Sequence, residues 1–195
     1  MLEPVSTSRQ QLRQSLRSRR RALSEQQQQI ASQQLERQVS GAELFGRHQD
    51  IAFYLANDGE IDPLPLLLMA HQQNRRCYLP VVAGDELWFV RYQPGDRLTP
   101  NRFGIPEPAD NSQRIDAFEL DMVFLPLVGF DRHGGRLGMG GGFYDRCFEN
   151  SQLIPKMKQP HLVGLAHQCQ EVELLEQESW DIPLPTIATD REVIN

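Results

Sequence analysis

Six of the nine residues 134–142 are glycine, in a chain of 195 that holds only 14. This cluster follows the most apolar run of the sequence, residues 122–128, and precedes a segment from Phe143 to about Gln152 that reads as a helix. A strand leading through glycine into a helix is a restrictive arrangement. Without a Cβ the backbone approaches a ligand closely, and the following helix adds the positive end of its dipole. A flexible surface loop would also tolerate glycine. The position at the carboxyl end of a buried strand, where α/β sheets bind ligands, favours a phosphate cradle. The cradle is not a P-loop, because Gly141 and Gly142 stand where that motif needs Lys and a hydroxyl. Nor is it the dinucleotide fingerprint, which begun at Gly138 would need glycine at Phe143.

The rest of the chain supplies the elements such a loop requires. Ser8-Arg9-Gln10-Gln11 and Ser24-Glu25-Gln26-Gln27 read as capping boxes, predicting helices over about 8–22 and 25–45. Leu12, Leu16 and Leu23 give the first an apolar stripe; Ile30, Leu35, Val39 and Leu44 serve the second. Residues 51–55 predict a buried strand ending at the turn Asn57-Asp58-Gly59, and 63–73 a helix with proline at its start. Strands follow at 77–82 and 87–92 around Ala83-Gly84-Asp85, then a proline- and glycine-rich loop at 93–111. A strand at 161–166 and short apolar pieces at 187–188 and 193–194 complete the pattern. Strands alternating with helices predict an α/β fold with a mainly parallel sheet, and no linker divides residues 1–195, so one domain is expected.

Charge is unevenly placed. Residues 1–23 carry six arginines and Glu3, a net of +5, while 24–195 carry −11. An acidic body disfavours a general nucleic-acid binder, and no aromatic residues interleave with the arginines as in an RNA-binding module. There is no apolar run long enough for a membrane span and no secretory signal, which points to a cytoplasmic protein. Cys77, Cys147 and Cys169 are widely spaced and read as free thiols. His161, His167 and Cys169 lack a second ligand cluster and read as strand residues rather than a zinc site.

The only lysines are Lys156 and Lys158, so cationic contacts to phosphates must come mainly from arginine. Arg9, Arg13, Arg17 and Arg21 recur every fourth residue and share one drifting helix face. That face either meets solvent or reaches a bound polyphosphate through its first members; spacing does not choose between the two. Arg19 and Arg20 are expected to face solvent. Asp145 could hold Mg²⁺ against phosphates or serve as a dipole-stabilising acid at a helix start. Asp181 is a further candidate carboxylate.

The run from Leu125 to Arg146, LPLVGFDRHGGRLGMGGGFYDR, resembles the signature of the 5-formyltetrahydrofolate cyclo-ligase (methenyltetrahydrofolate synthetase) family. The resemblance extends to Arg21-Ala-Leu-Ser24, Asp58-Gly-Glu-Ile61, Phe103-Gly-Ile-Pro-Glu-Pro108 and Trp180-Asp181, essentially the whole chain. It implies a three-layer α/β/α sandwich like that of ribose-5-phosphate isomerase and CoA-transferase-like proteins. It also implies ATP- and Mg²⁺-dependent closure of 5-formyltetrahydrofolate, with or without a polyglutamate tail, to 5,10-methenyltetrahydrofolate by a monomer. Same-shaped phosphosugar isomerases and CoA-transferase-like enzymes are the alternative, distinguished by working without ATP.

Carried over by position, the resemblance assigns ATP to Arg9, Arg13, Arg136, Leu137, Gly138, Met139, Gly140, Gly141, Gly142, Phe143 and Tyr144. It assigns the folate to Leu55, Glu60, Met139, Gly140, Gly141, Gly142 and Phe143, catalysis to Arg13 and Tyr144, and Mg²⁺ to Asp145 and Asp181. Arg9 stands where relatives often have lysine, and Met139 and Gly141 where some have arginine and lysine, which shifts weight onto Arg9 and Arg13. Phe53, Tyr54, Trp88 and Phe103 are candidates to flank an aromatic pterin, with core packing as the competing role.

Overall fold

The computed structural model describes residues 8–149, 159–178 and 181–195. Glu3, Gln152, Lys156, Lys158 and Trp180 lie outside the described residues. The chain runs α1 (Arg9–Arg21), α2 (Glu25–Gly41), β1 (Asp50–Ala52), α3 (Leu64–Gln72), β2 (Arg76–Ala83), β3 (Glu86–Tyr92), β4 (Leu98–Pro100), β5 (Pro106–Pro108) and β6 (Arg114–Ile115). It continues with β7 (Met122–Pro126), β8 (Gly129–Phe130), β9 (Arg136–Leu137), α4 (Phe143–Phe148), β10 (His161–Ala166), β11 (Thr186–Thr189) and β12 (Val193–Ile194).

Eight strands form one sheet in the order β12-β11-β10-β7-β1-β2-β3-β6. The five inner strands from β11 to β2 run parallel, and β12, β3 and β6 add antiparallel edges. Period-two alternation divides β7 between two cores. Met122 and Phe124 face α2 and α3, packed with Leu35, Val39, Leu66 and Leu67. Val123 and Leu125 face the other way, with Phe148 of α4, Phe118 and Leu184. Helices therefore cover both faces of a mostly parallel sheet, as the alternation of elements predicts.

Both capping boxes form. Ser8 Oγ accepts from Gln11 N at 3.2 Å while the Gln11 side chain accepts from Ser8 N, and Ser24 and Gln27 repeat the exchange. Helix α2 stops at Gly41 rather than near residue 45. β1 is shorter than expected, although Phe53 N still donates to Tyr78 O. The segment 93–111 is not a structureless loop: β4 and β5 pair within it as a two-stranded ribbon, and β6 follows. Its prolines are tolerated because the ribbon belongs to no larger sheet. The glycine segment is also more ordered than expected, since β8 and β9 form a hairpin and only Gly138–Gly142 remain open.

The site is set by the strand order. From β1 the chain crosses through α3 to β2 on one side, whereas β7, β10 and β11 build the sheet on the other. Loops leaving the carboxyl ends of β1 and β7 diverge at this switch point and open a crevice. The turn after β1 and the glycine segment after β7 are its two banks.

The glycines divide by job. A Cβ on Gly135 would stand 2.4 Å from Asp131 Oδ2, and one on Gly134 2.6 Å from Leu184 O. Asp131 is wholly buried and accepts from His133 N, Gly135 N and Leu175 N, so the hairpin turn is closed around this carboxylate. A Cβ on Gly138 would meet nothing within 4 Å. Gly135→Ala is expected to cost about 2 kcal/mol of stability or more. Gly138→Ala should stay within about 0.5 kcal/mol. Urea unfolding of both variants checks the contrast, and equal losses would contradict it.

Candidate active site

A cleft of about 1010 Å³ opens at the switch point. Tyr54, Leu55, Asp58 and Glu60 line it from the β1 exit, Leu79, Pro80 and Val82 from β2, and Leu125, Pro126 and Leu127 from the β7 exit. Gly138 to Asp145 form one bank, and Arg9, Arg13 and Asp181 also line the cleft, Arg9 bonded to Asp181 and Arg13 to Gly138 O. Such a volume suits ligands of cofactor size.

Helix α1 reaches a different wall with each turn. Arg9 Nη1 donates to Asp181 Oδ2 and to Glu176 O, both at 2.8 Å. Arg13 Nε donates to Gly138 O at 2.9 Å, and its guanidinium lies beside Gly140. Arg17, Arg20 and Arg21 all pair with Asp58. Burial, then the charge of Arg9, pulls the Arg13 guanidinium below its usual range, with Asp181 offsetting part of the effect. Two cations held side by side at a cleft mouth are a condition that a bound polyanion relieves.

Arg20 contradicts the expectation that it faces solvent: it has no exposed surface. Nε donates to Asp58 O, Nη1 to Leu127 O and Nη2 to Asp58 Oδ2. The sequence does carry a signal for this, because Arg20 lies four residues after Leu16, which is itself wholly buried, and so shares its helix face. Arg19 is exposed as expected.

On the opposite bank, Gly142 begins α4 in the left-handed conformation (φ 65°), and Gly140 has φ 97°. Both conformations suit glycine and turn the backbone between them. Met139 is half exposed at the rim. Leu137 does not face the cleft; its side chain is buried with Leu16, Val128 and Leu175. Arg136 pairs with Asp145. Asp145 and Asp181 thus both line the cleft, and each is held by an arginine.

Glu60 accepts from Asn57 N at 3.0 Å and lies 3.7 Å from Arg20 Nη2. Burial raises its carboxyl above the usual range, against the lowering effects of Arg20, the Asn57 N–H and Arg17. Burial, then the charge of Glu60, pushes the Tyr144 hydroxyl far up, so at neutral pH it stays protonated. Of the aromatic candidates, Phe53 is wholly in the core and Tyr54 donates to Ile61 O from the cleft floor. Trp88 is outside the cleft, under Arg114. Phe103 is 52% exposed at the ribbon tip and meets Phe143 edge to face across a 5.9 Å centroid distance. Glu107 secures that ribbon by accepting from Val82 N and Asn101 Nδ2.

Residues 5–190 match the model of the 5-formyltetrahydrofolate cyclo-ligase family. The chain belongs to that family. It is 43% identical to the 5-formyltetrahydrofolate cyclo-ligase of Escherichia coli K12 over 183 residues, 91% of this chain and 98% of that protein. The enzyme of the same name from Haemophilus influenzae is also 43% identical, over 90% of this chain and 94% of its own. Among solved structures, the 5,10-methenyltetrahydrofolate synthetase of Aquifex aeolicus superposes with a TM-score of 0.81 at 29% identity, covering 95% of this chain and 91% of that one. In this member of the family, the basic helix and the glycine segment line the same cleft and are joined by the Arg13–Gly138 hydrogen bond.

Asp58 is the common partner of three arginines, one of them buried. Asp58→Ala leaves the Arg20 guanidinium without its nearest carboxylate and is expected to cost about 3 kcal/mol. Urea unfolding measures it; a loss under about 1 kcal/mol would mean that the pair adds little beyond a surface salt bridge.

Proposed function

We propose that the chain closes 5-formyltetrahydrofolate to 5,10-methenyltetrahydrofolate, consuming ATP and releasing ADP and phosphate. The observation that carries this reading is the two-ended cleft. One end presents Arg9, Arg13 and an open glycine backbone; the other presents Glu60 among Tyr54, Leu55 and Leu79. A polyphosphate suits the first end. A flat ring with amino and N–H donors suits the second, because a carboxylate can accept both kinds of bond.

The chemistry needs no nucleophilic side chain. A formamide oxygen leaves poorly. Transfer of the γ-phosphoryl group to the formyl oxygen, with ADP leaving, gives an imino-phosphate. N10 of the folate then attacks the formyl carbon, the C–O bond breaks, inorganic phosphate departs and N10 loses its proton. The protein aligns the γ-phosphoryl group with the formyl oxygen and neutralises charge. Arg9 and Arg13 supply cations, Tyr144 a hydroxyl donor and Gly138–Gly142 close backbone approach.

No cluster of three or more metal-ligating side chains occurs among the described residues. Two cleft carboxylates, Asp145 and Asp181, fit an ion that arrives with the nucleotide, since Mg²⁺ takes one or two carboxylates with phosphate oxygens. Mg²⁺ held there would offset phosphate charge. A cytoplasmic, single-domain monomer remains part of the proposal. No described helix is long and apolar enough to cross a membrane.

Purified protein given ATP, Mg²⁺ and 5-formyltetrahydrofolate should show the methenyl product's absorbance, and no ATP-dependent rise would sink the reading. Arg13→Ala should weaken ATP binding at least about tenfold, the loss of one or two charged hydrogen bonds. Its melting temperature should change little, because Arg13 lies at the cleft mouth. Unchanged ATP affinity in a calorimetric titration removes Arg13 from the site. Asp145→Asn should raise the Mg²⁺ concentration needed for half-maximal turnover, and a parental metal titration would leave Asp145 as a partner of Arg136 only.

A further inference from the structure

The guanidinium of Arg20 touches three of the segments that line the cleft. It reaches the β1 exit through Asp58 O and Oδ2, at 2.9 Å each, and the β7 exit through Leu127 O at 3.0 Å. It reaches the glycine bank through Met139 Sδ at 3.8 Å. The fourth neighbour is Glu60 Oε1 at 3.7 Å, on a carboxylate that lines the cleft. A residue needed only to pin α1 would require Asp58 and Leu127. Contact with Glu60 and Met139 ties the same guanidinium to groups that face the substrate.

We propose that Arg20 is a positioning residue for folate recognition: it holds the Glu60 carboxylate and the Asp58–Glu60 turn in register with the Met139 rim. The proposal rests on the folate reading of the cleft. It makes Arg20 the partner that keeps Glu60 able to accept hydrogen bonds from the pterin. Glu60 also faces Arg17 of α1, the Tyr54 hydroxyl from the β1 exit and the Tyr144 hydroxyl of α4, with Asp62 beyond Tyr54. Burial acts against ionisation of Glu60, and among the groups opposing it Arg20 has the largest effect. Without that charge, Glu60 takes up a proton at higher pH and loses acceptor capacity.

The test compares the parent with Arg20→Met and Arg20→Lys. 5-Formyltetrahydrofolate binding is titrated from about pH 4 to about pH 8.5, with ATP binding measured alongside. In the parent, folate affinity falls as pH drops through the Glu60 transition. In Arg20→Met the midpoint of that fall should move up by about one pH unit or more. Below the parental midpoint folate should bind about tenfold more weakly than to the parent, while ATP affinity stays within about twofold. Arg20→Lys keeps the charge but not the fork, so it should retain the parental midpoint with a folate affinity several-fold weaker.

If Arg20→Met does not fold, Arg20→Lys decides. Parental folate affinity in it, or equal loss of folate and ATP, overturns the proposal. A folded Arg20→Met with the parental midpoint does the same. A parent that fails to bind 5-formyltetrahydrofolate overturns the functional reading itself, an outcome visible before any variant is measured.

Discussion

A buried guanidinium, Arg20, ties the last turn of α1 to the two strand exits beside the cleft. It lies without exposed surface where α1, the β1 exit and the β7 exit meet, and Asp58 answers its charge. Leaving such a group unpaired costs several kcal/mol, so its partners are constrained to stay. Helix α1 contributes nothing to the sheet, yet it brings two arginines, Arg9 and Arg13, into the lining of the cleft. Its attachment rests on this pair and on Leu16 packed against Val128 and Leu137. A Cβ on Gly129 would come 2.4 Å from Leu16 Cδ1, so glycine there is what lets the helix sit so close. The first turns of the helix have contacts of their own, from Arg13 to Gly138 O and from Arg9 to Asp181.

The glycine cluster does two things that a count of glycines does not separate. Gly134 and Gly135 have no room for a side chain, because the turn is closed tightly around the buried Asp131. Gly138 and Gly140 to Gly142 line the open bank of the cleft. The first pair makes the hairpin rigid, and the hairpin presents the second group to Arg13. Packing and ligand approach are thus concentrated in nine consecutive residues, 134–142.

Features that depend on neighbours in the sequence are readable from it. Both capping boxes form because Ser and Gln three residues apart suffice. The alternation in β7 places its residues on opposite faces of a covered sheet. The convergence of Arg9, Arg13, Glu60, Asp145 and Asp181 on one cleft is expected only from family resemblance, since no local pattern links them. Two departures from expectation have physical causes. The β4–β5 ribbon is bounded by Pro100, Pro106 and Pro108, which argue against strands unless the pair stands apart from the main sheet. Composition groups Arg20 with the exposed arginines, although its spacing from Leu16 puts it on the buried face. Its partner Asp58 lies in a turn 38 residues away, and a pairing at that separation has no periodic signature.

If the basic helix and the glycine bank form one ligand site, ligands must quiet both. In hydrogen–deuterium exchange, ATP and 5-formyltetrahydrofolate together should slow exchange in the Gly138–Phe143 amides and in the first turns of α1, with the Asp58–Glu60 turn protected when folate is added. Protection of the glycine bank with no change in α1 would contradict a single site.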